Sequence, residues 1–305
     1  MRVAVVFPGQ GTQTPGMGQP WKEHPAWKIV EQAEAALGEP LAPLLLDASA
    51  EELGRTRNSQ LAVLCTSLVA WEAAAPMLDD VVAFGGHSLG QVTALIASGA
   101  LDLEDGVRFA ARRAELTQAA ADAHPGRMAA LLGATLEQAE DACTAAPDAC
   151  WIANDNAPGQ VVIAGTPDGV EAGIGRAKEL GVRRAMALAV GGAFHTPLMA
   201  SARDGLVTTL ADVTFSAPNA PVVSNHDGAA YADGDGWRTR LPEHVTVPVR
   251  WRTSMETLAG LGADTFVEVG NGSMIAGVAK RTVPDVRVLP CGTPEECSQL
   301  SPPEN

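Results

Sequence analysis

The sequence predicts an α/β fold with a largely parallel sheet, interrupted by a smaller inserted unit of ferredoxin-like (βαββαβ) order. Three observations carry this. Short apolar runs at 3–7 and 81–84, and the strand-like segment 265–269, have the length of buried strands, and each runs into glycines. Helical stretches separate the runs, which is the alternation that parallel sheets require. Between 126 and 190 the pattern changes to strand, helix, two strands about a turn, helix and strand. With 305 residues, 46% of them hydrophobic, the chain can build one large domain carrying a smaller one. Aromatic residues are only 4%, so Ala, Val and Leu must fill the core.

Taken in order, residues 3–7 form a strand ending in Pro8-Gly9-Gln10-Gly11, and 21–38 read as a helix stopped by Gly38. A helix from Gln60 to Met77 breaks near Pro76. Strand 81–84 turns through glycines into a helix at 91–98. Asp102 is placed to cap a helix through Ala121, with acidic residues in its first turn. In the inserted unit, 128–132 is a strand, and Thr135 and Gln138 have capping-box spacing for a helix to 146. Strands near 151–153 and 161–164 flank the turn Asn156-Ala157-Pro158-Gly159. A helix over 167–180 stops at Gly181, and 184–190 is a strand. Then follow a helix from 197 to 210, a strand at 222–224, a loop over 227–236, a helix within 249–261 and strand 265–269. These divide the chain into a discontinuous large domain at 1–125 and 191–295, the small unit at 126–190, and a frayed tail at 296–305.

Composition excludes several classes. The net charge of −15, from 21 basic and 36 acidic residues, disfavours nucleic acid as a partner. No apolar stretch reads as a membrane span, and the N-terminus lacks signal-peptide character, so a cytoplasmic monomer is expected. The five cysteines are scattered, odd in number and free of C-x-x-C pairs, and read as reduced thiols. No metal or bound cofactor is expected.

Gly86-His87-Ser88-Leu89-Gly90 carries the chemistry. It reads G-x-S-x-G between a strand and a helix, the context of a nucleophile elbow. Such a turn lifts the Ser88 hydroxyl off the sheet and aims N–H groups at a site for a developing oxyanion. A serine needs a base. His24 and His124 precede prolines and read as surface residues. His226 lies in a loop, His244 reads as exposed, and His87 points away from Ser88 in an orienting role. His195 follows a strand and a glycine pair and opens a helix, a position where α/β folds keep ligands. No aspartate stands out as a third member, since Asp148, Asp155 and Asp168 all fall in the inserted unit; a backbone carbonyl can hold the imidazole instead. The 8–13 loop lacks the third glycine of a dinucleotide fingerprint. Its Gln10 N–H makes better sense beside that of Leu89 in an oxyanion hole.

In order along the chain stand FPGQGTQ at 7–13, GHSLG at 86–90, Arg113, NAPGQVVIAG at 156–165, GAFHTPLM at 192–199, PVRW at 248–251 and EVGNG at 268–272. In these the chain resembles the malonyl-CoA:acyl-carrier-protein transacylase family, over roughly residues 2–290. The resemblance implies an α/β-hydrolase-like large domain with a ferredoxin-like insert. It implies Ser88 as nucleophile, His195 as base, Gln10 and Leu89 as oxyanion donors, and Arg113 as partner of the malonyl carboxylate. His87, Asn156 and Phe194 would contact substrate, with Phe194 disfavouring methylmalonyl. The backbone carbonyl of Arg250 would hold the base. A coenzyme A thioester and an acyl carrier protein are the implied partners, in fatty-acid or polyketide synthesis. The chain departs from the family at Gln91, where glutamate is usual, at Arg250, where glutamine is frequent, and at Asn271 and Ser273, where proline and lysine are usual. Another acyl donor and a hydrolytic thioesterase are the alternatives, with a non-catalytic carrier-binding module further off. The acidic partners call for a basic mouth, for which Arg55, Arg57, Arg112, Lys280 and Arg281 are candidates.

Overall fold

The computed structural model describes residues 1–188 and 190–300. The large domain opens with β1 (Val3–Phe7), followed by α1 (Lys28–Leu37), α2 (Ala42–Leu46), α3 (Ala50–Gly54) and α4 (Thr56–Ala74). Then come β2 (Val81–Gly86), α5 (Gly90–Ala97) and α6 (Leu103–Ala123). The inserted unit holds β3 (Arg127–Leu132), α7 (Leu136–Cys143), β4 (Cys150–Ala157), β5 (Gln160–Gly165), α8 (Pro167–Glu179) and β6 (Arg184–Ala187). The chain returns through α9 (Ala200–Thr209), β7 (Val222–Val223), β8 (Ala230–Tyr231), α10 (Trp237–Glu243) and α11 (Trp251–Gly260). It ends in β9 (Thr265–Val269), α12 (Met274–Thr282), β10 (Arg287–Cys291) and α13 (Pro294–Ser298).

The larger sheet has the order β10-β9-β1-β2-β7-β8, parallel except for the last pair. Its central strands are buried along their length: all five residues of β1 and of β9 are buried, as two-sided helix cover demands. The smaller sheet, β4-β5-β3-β6, is antiparallel throughout, which gives the ferredoxin-like arrangement. It has its own core of Ala, Val and Ile beneath α7 and α8. Caps follow the chemistry read from the sequence. Asp102 accepts from the Glu104 N–H at 2.8 Å, and Thr135 and Gln138 form a reciprocal capping box.

Small and large domains are stitched at β4. The Val249 N–H donates to Ala153 O and the Asp155 N–H donates to Val249 O, each at 2.9 Å, and Arg252 pairs with buried Asp155 at 2.8 Å. This join runs beside the active cavity described below.

Several expectations need correction. Cys291 and Cys297 form a disulfide, leaving Cys65, Cys143 and Cys150 as thiols. A six-residue spacing without a second pair gives no framework signal; the turn at Gly292 and α13 bring the two together. The tail boundary at 296 is also wrong, because α13 packs on α4 and buries Cys297 and Leu300. Residues 301–305 lie outside the described residues. Pro25 delays the first long helix to Lys28, and the 227–236 loop contains β8. Thr56–Met77 is long and apolar enough, by length and composition, to span a membrane, with a mean hydropathy of 1.2. Its polar residues Ser59, Gln60, Thr66 and Ser67 lie on one side of the helix and interrupt the apolar run in the sequence. Here it is the core helix, packed against α1, α5 and α6. Under denaturing, non-reducing conditions, alkylation of the protein as isolated is expected to modify three cysteines, rising to five after reduction. Mass spectrometry counts the adducts, and five without reductant would refute the disulfide.

Candidate active site

Strand β2 ends against β1, with Gly86 in register with Phe7. The chain then reverses into α5 through Ser88, whose φ is +53°. A non-glycine residue in the left-handed region costs about 1–3 kcal/mol and persists only where its surroundings hold it. They do so here by close approach. A Cβ on Gly86 would lie 1.9 Å from Gly90 O, and one on Gly90 would lie 2.3 Å from Phe7 O. Only glycine fits either place. The His87 N–H donates to Phe7 O at 2.9 Å and docks the elbow on the end of β1.

Ser88 Oγ lies 2.8 Å from His195 Nε2. His195 also has left-handed backbone, φ +62°, in the turn that leads from the small domain toward α9. Its Nδ1 lies 2.7 Å from the carbonyl oxygen of His244. A carbonyl only accepts, so Nδ1 carries the proton and Nε2 is left as the acceptor facing Ser88. This corrects the expectation for Arg250. The Arg250 carbonyl instead accepts from the Ser254 N–H and Oγ–H as the first turn of α11 closes on it. It corrects His244 as well, which is buried at 4% exposure, edge-on to Trp237.

Burial pushes both His195 and His244 down to about 3, and the nearby Arg113 cation adds to the effect at each. His195 is therefore neutral at physiological pH, as a proton acceptor must be.

Arg113, on α6, is 7% exposed. It donates from Nη1 to Gln60 Oε1 at 2.6 Å and from Nη2 to Ser88 Oγ at 3.1 Å. No carboxylate pairs with it among the described residues, and burial lowers it to about 10. It stays charged at neutral pH, a desolvated cation beside the serine. Gln60, its partner, was not picked out from the sequence; a buried glutamine inside the apolar run of α4 was the available signal.

These groups line a cavity of about 220 Å³ between the two domains. Gln10 and Leu89 flank Ser88, and the N–H of neither has an acceptor among the described residues. Asn156, on β4, reaches the cavity and meets His87 Nε2 through Oδ1 at 2.8 Å. His87 lines the same cavity and also sits edge-on to Trp251, 5.6 Å between centroids, so its ring is held between Trp251 and Asn156. Phe194 adjoins His195 in the wall. Met274, brought in by α12, completes another side. Buried Glu268 fixes that helix by accepting from the Ile275 and Ala276 N–H groups, both at 2.9 Å.

The candidate basic mouth divides. Arg57 is taken by Glu39 and Glu115, and Arg112 by Glu115. Arg281 is exposed and donates to Gln160, a cavity residue, at 2.6 Å. Arg55 and Lys280 are exposed and make no ion pair among the described residues.

Fold and site together define an acyltransferase: residues 4–293 match the acyl transferase domain family, and the chain belongs to it. Within it, a malonyl CoA-acyl carrier protein transacylase of Bacillus subtilis is 36% identical over 301 residues, covering 96% of this chain and 94% of that one. An acyl carrier protein S-malonyltransferase from Vibrio cholerae superposes with a TM-score of 0.94 at 33% identity, covering 99% and 100% of the two chains. A malonyl-transacylase solved in complex with its type II polyketide acyl-carrier protein also gives 0.94, at 31% identity and 98% and 99% coverage. At this likeness the chain is a member of the malonyl CoA-acyl carrier protein transacylases.

The histidines make acid sensitivity predictable. Both pKa values lie below the unfolded 6.5, so the stability they contribute is complete above about pH 6.5 and is lost as pH falls toward 3. Tryptophan fluorescence during denaturant titrations is expected to give an unfolding free energy that declines steadily below pH 6.5. The kcat/KM for acylation should pass through 6.5 without a histidine limb. A limb there would mean that His195 titrates as an ordinary histidine.

Proposed function

We propose that the protein moves a malonyl group from malonyl-CoA to the phosphopantetheine thiol of an acyl carrier protein, through an ester on Ser88. The single observation that carries the reading is Arg113: a buried guanidinium without a carboxylate partner, hydrogen-bonded to the Ser88 hydroxyl itself. A cation held so close to a nucleophile suits an acyl group ending in a carboxylate, because burying it unpaired is costly. The names and the carrier-bound structure of the relatives support the donor and acceptor.

In this reading His195 Nε2 takes the Ser88 proton as Oγ attacks the thioester carbonyl. The N–H groups of Gln10 and Leu89 hold the oxyanion; one such donor is typically worth about 3 kcal/mol. The C–S bond breaks, and the coenzyme A thiolate receives the proton from His195. The carrier thiol then gives its proton to His195 and attacks the ester, and Ser88 leaves with that proton. Arg113 pairs with the malonyl carboxylate, while Gln60 and Asn156 are set to orient it. Phe194 crowds the space beside the α-carbon, which favours malonyl over methylmalonyl. The chemistry draws on no cofactor beyond the two thioester partners. A cytoplasmic setting fits a reaction fed by coenzyme A thioesters.

Intact-protein mass spectrometry after brief mixing with malonyl-CoA is expected to give a malonyl adduct on the wild type, none on Ser88→Ala, and its loss on adding a phosphopantetheinylated carrier. Loss without the carrier would favour a thioesterase. Arg113→Ala should lower kcat/KM for malonyl-CoA by roughly two orders of magnitude or more, the scale of unpairing a buried charge. Its preference for malonyl-CoA over acetyl-CoA should collapse. An unchanged preference would remove Arg113 from the reading.

A further inference from the structure

Asn225 follows β7 and is 2% exposed. Four of its groups are engaged, three of them on the segment that carries Ser88. Its Oδ1 accepts the Ser88 N–H at 2.7 Å, and its Nδ2 donates to Gly86 O at 2.8 Å. Its own N–H donates to Gln91 Oε1, on α5, at 3.0 Å. Its carbonyl accepts from the Arg250 N–H at 2.9 Å, which ties it to the start of α11. The side chain thus spans the elbow on its inner side, from the residue two before Ser88 to Ser88 itself, while Gln91 holds the backbone behind it. These contacts join residues 137 and 134 positions apart, so they do not arise from the local turn.

Two consequences follow. The Ser88 N–H is consumed inward, and those of His87 and Gly90 are bonded to Phe7 O and His87 O, which leaves the Leu89 N–H as the elbow donor without an acceptor among the described residues. The left-handed φ of Ser88 is also held by amide bonds from outside the elbow. We infer that Asn225, backed by Gln91, is a positioning residue: it sets the backbone of Ser88 so that Oγ meets His195 Nε2 and the Leu89 N–H faces the reacting carbonyl. It touches no substrate. The part of the inference that concerns the carbonyl rests on the malonyl-transfer reading; the part that concerns the reactivity of Ser88 does not.

Gln91 supplies an internal control. Its Oε1 is used, whereas its buried Nε2 has no partner among the described residues. Gln91→Glu keeps an oxygen for the Asn225 N–H; Gln91→Leu removes it.

The test measures Ser88 reactivity in two ways on the full chain: the rate of labelling by a fluorophosphonate, which reports an activated serine whatever the substrate, and acylation by malonyl-CoA. Asn225→Ala is expected to slow both by about 10- to 100-fold, the scale of a misplacement near 1 Å. The KM for malonyl-CoA should stay within about threefold, because Arg113 and Gln60 are untouched. Gln91→Leu should slow labelling in the same direction, and Gln91→Glu should restore most of the rate. Melting temperatures separate positioning from unfolding; should Asn225→Ala fail to fold, the Gln91 pair decides. Labelling within twofold of wild type in folded Asn225→Ala, or equal labelling of Gln91→Leu and Gln91→Glu, would overturn the inference. Wild type that labels with fluorophosphonate at Ser88 but not with malonyl-CoA would sink the malonyl reading and leave the role of Asn225 standing.

Discussion

The site depends on one constraint: Ser88 must turn through left-handed backbone at the point where β2 meets α5. Sterics disfavour that conformation, so the neighbourhood has been built to hold it. Gly86 and Gly90 let the two arms of the elbow close on each other and on the end of β1. The burial of β1 between β2 and β9 makes that end a fixed reference. The cavity, the histidine contact and the Leu89 N–H, which has no acceptor among the described residues, inherit their positions from this closure.

Electrostatics supply the second layer. Arg113, His195 and His244 lie near one another and are all buried, where charge is expensive. The arginine keeps its charge because its intrinsic pKa is so high, and the histidines surrender theirs. The outcome is a cation beside a neutral imidazole, which is the protonation pattern that the proposed serine chemistry on an anionic acyl group needs. An aspartate behind His195 would upset it, since it would favour the imidazolium and compete for Arg113. A carbonyl orients the ring without adding charge.

What was readable in the sequence was local. The bounds of β9 follow from a five-residue strand-like segment against a glycine turn, and the start of α6 from Asp102. The elbow is legible because its strand, turn and helix are contiguous. Arg113 and Phe194 were reached through family motifs and not through periodicity. The groups that escaped notice act at a distance in sequence. Gln60 meets Arg113 across 53 positions and Asn225 meets Ser88 across 137. His244 sits in a polar context that suggests exposure; its burial comes from Trp237 on α10, a helix too short and too interrupted by Pro242 to signal itself. The disulfide escaped for a related reason, since two cysteines six apart say nothing until a turn folds them together.

The small domain is spliced between the halves of the proposed catalytic pair, with Ser88 before it and His195 after it. The carbonyl that orients His195 lies 49 residues further on. Vectorial synthesis therefore delivers Ser88 first, then the small domain with Asn156 of the cavity wall, then His195, then the carbonyl of His244, and after it Met274, which completes the cavity. Strand β9, which flanks β1, emerges between those last two. A nascent chain therefore holds Ser88 through a further 107 residues before His195 follows it, so the proposed pair is completed only once the small domain has been made.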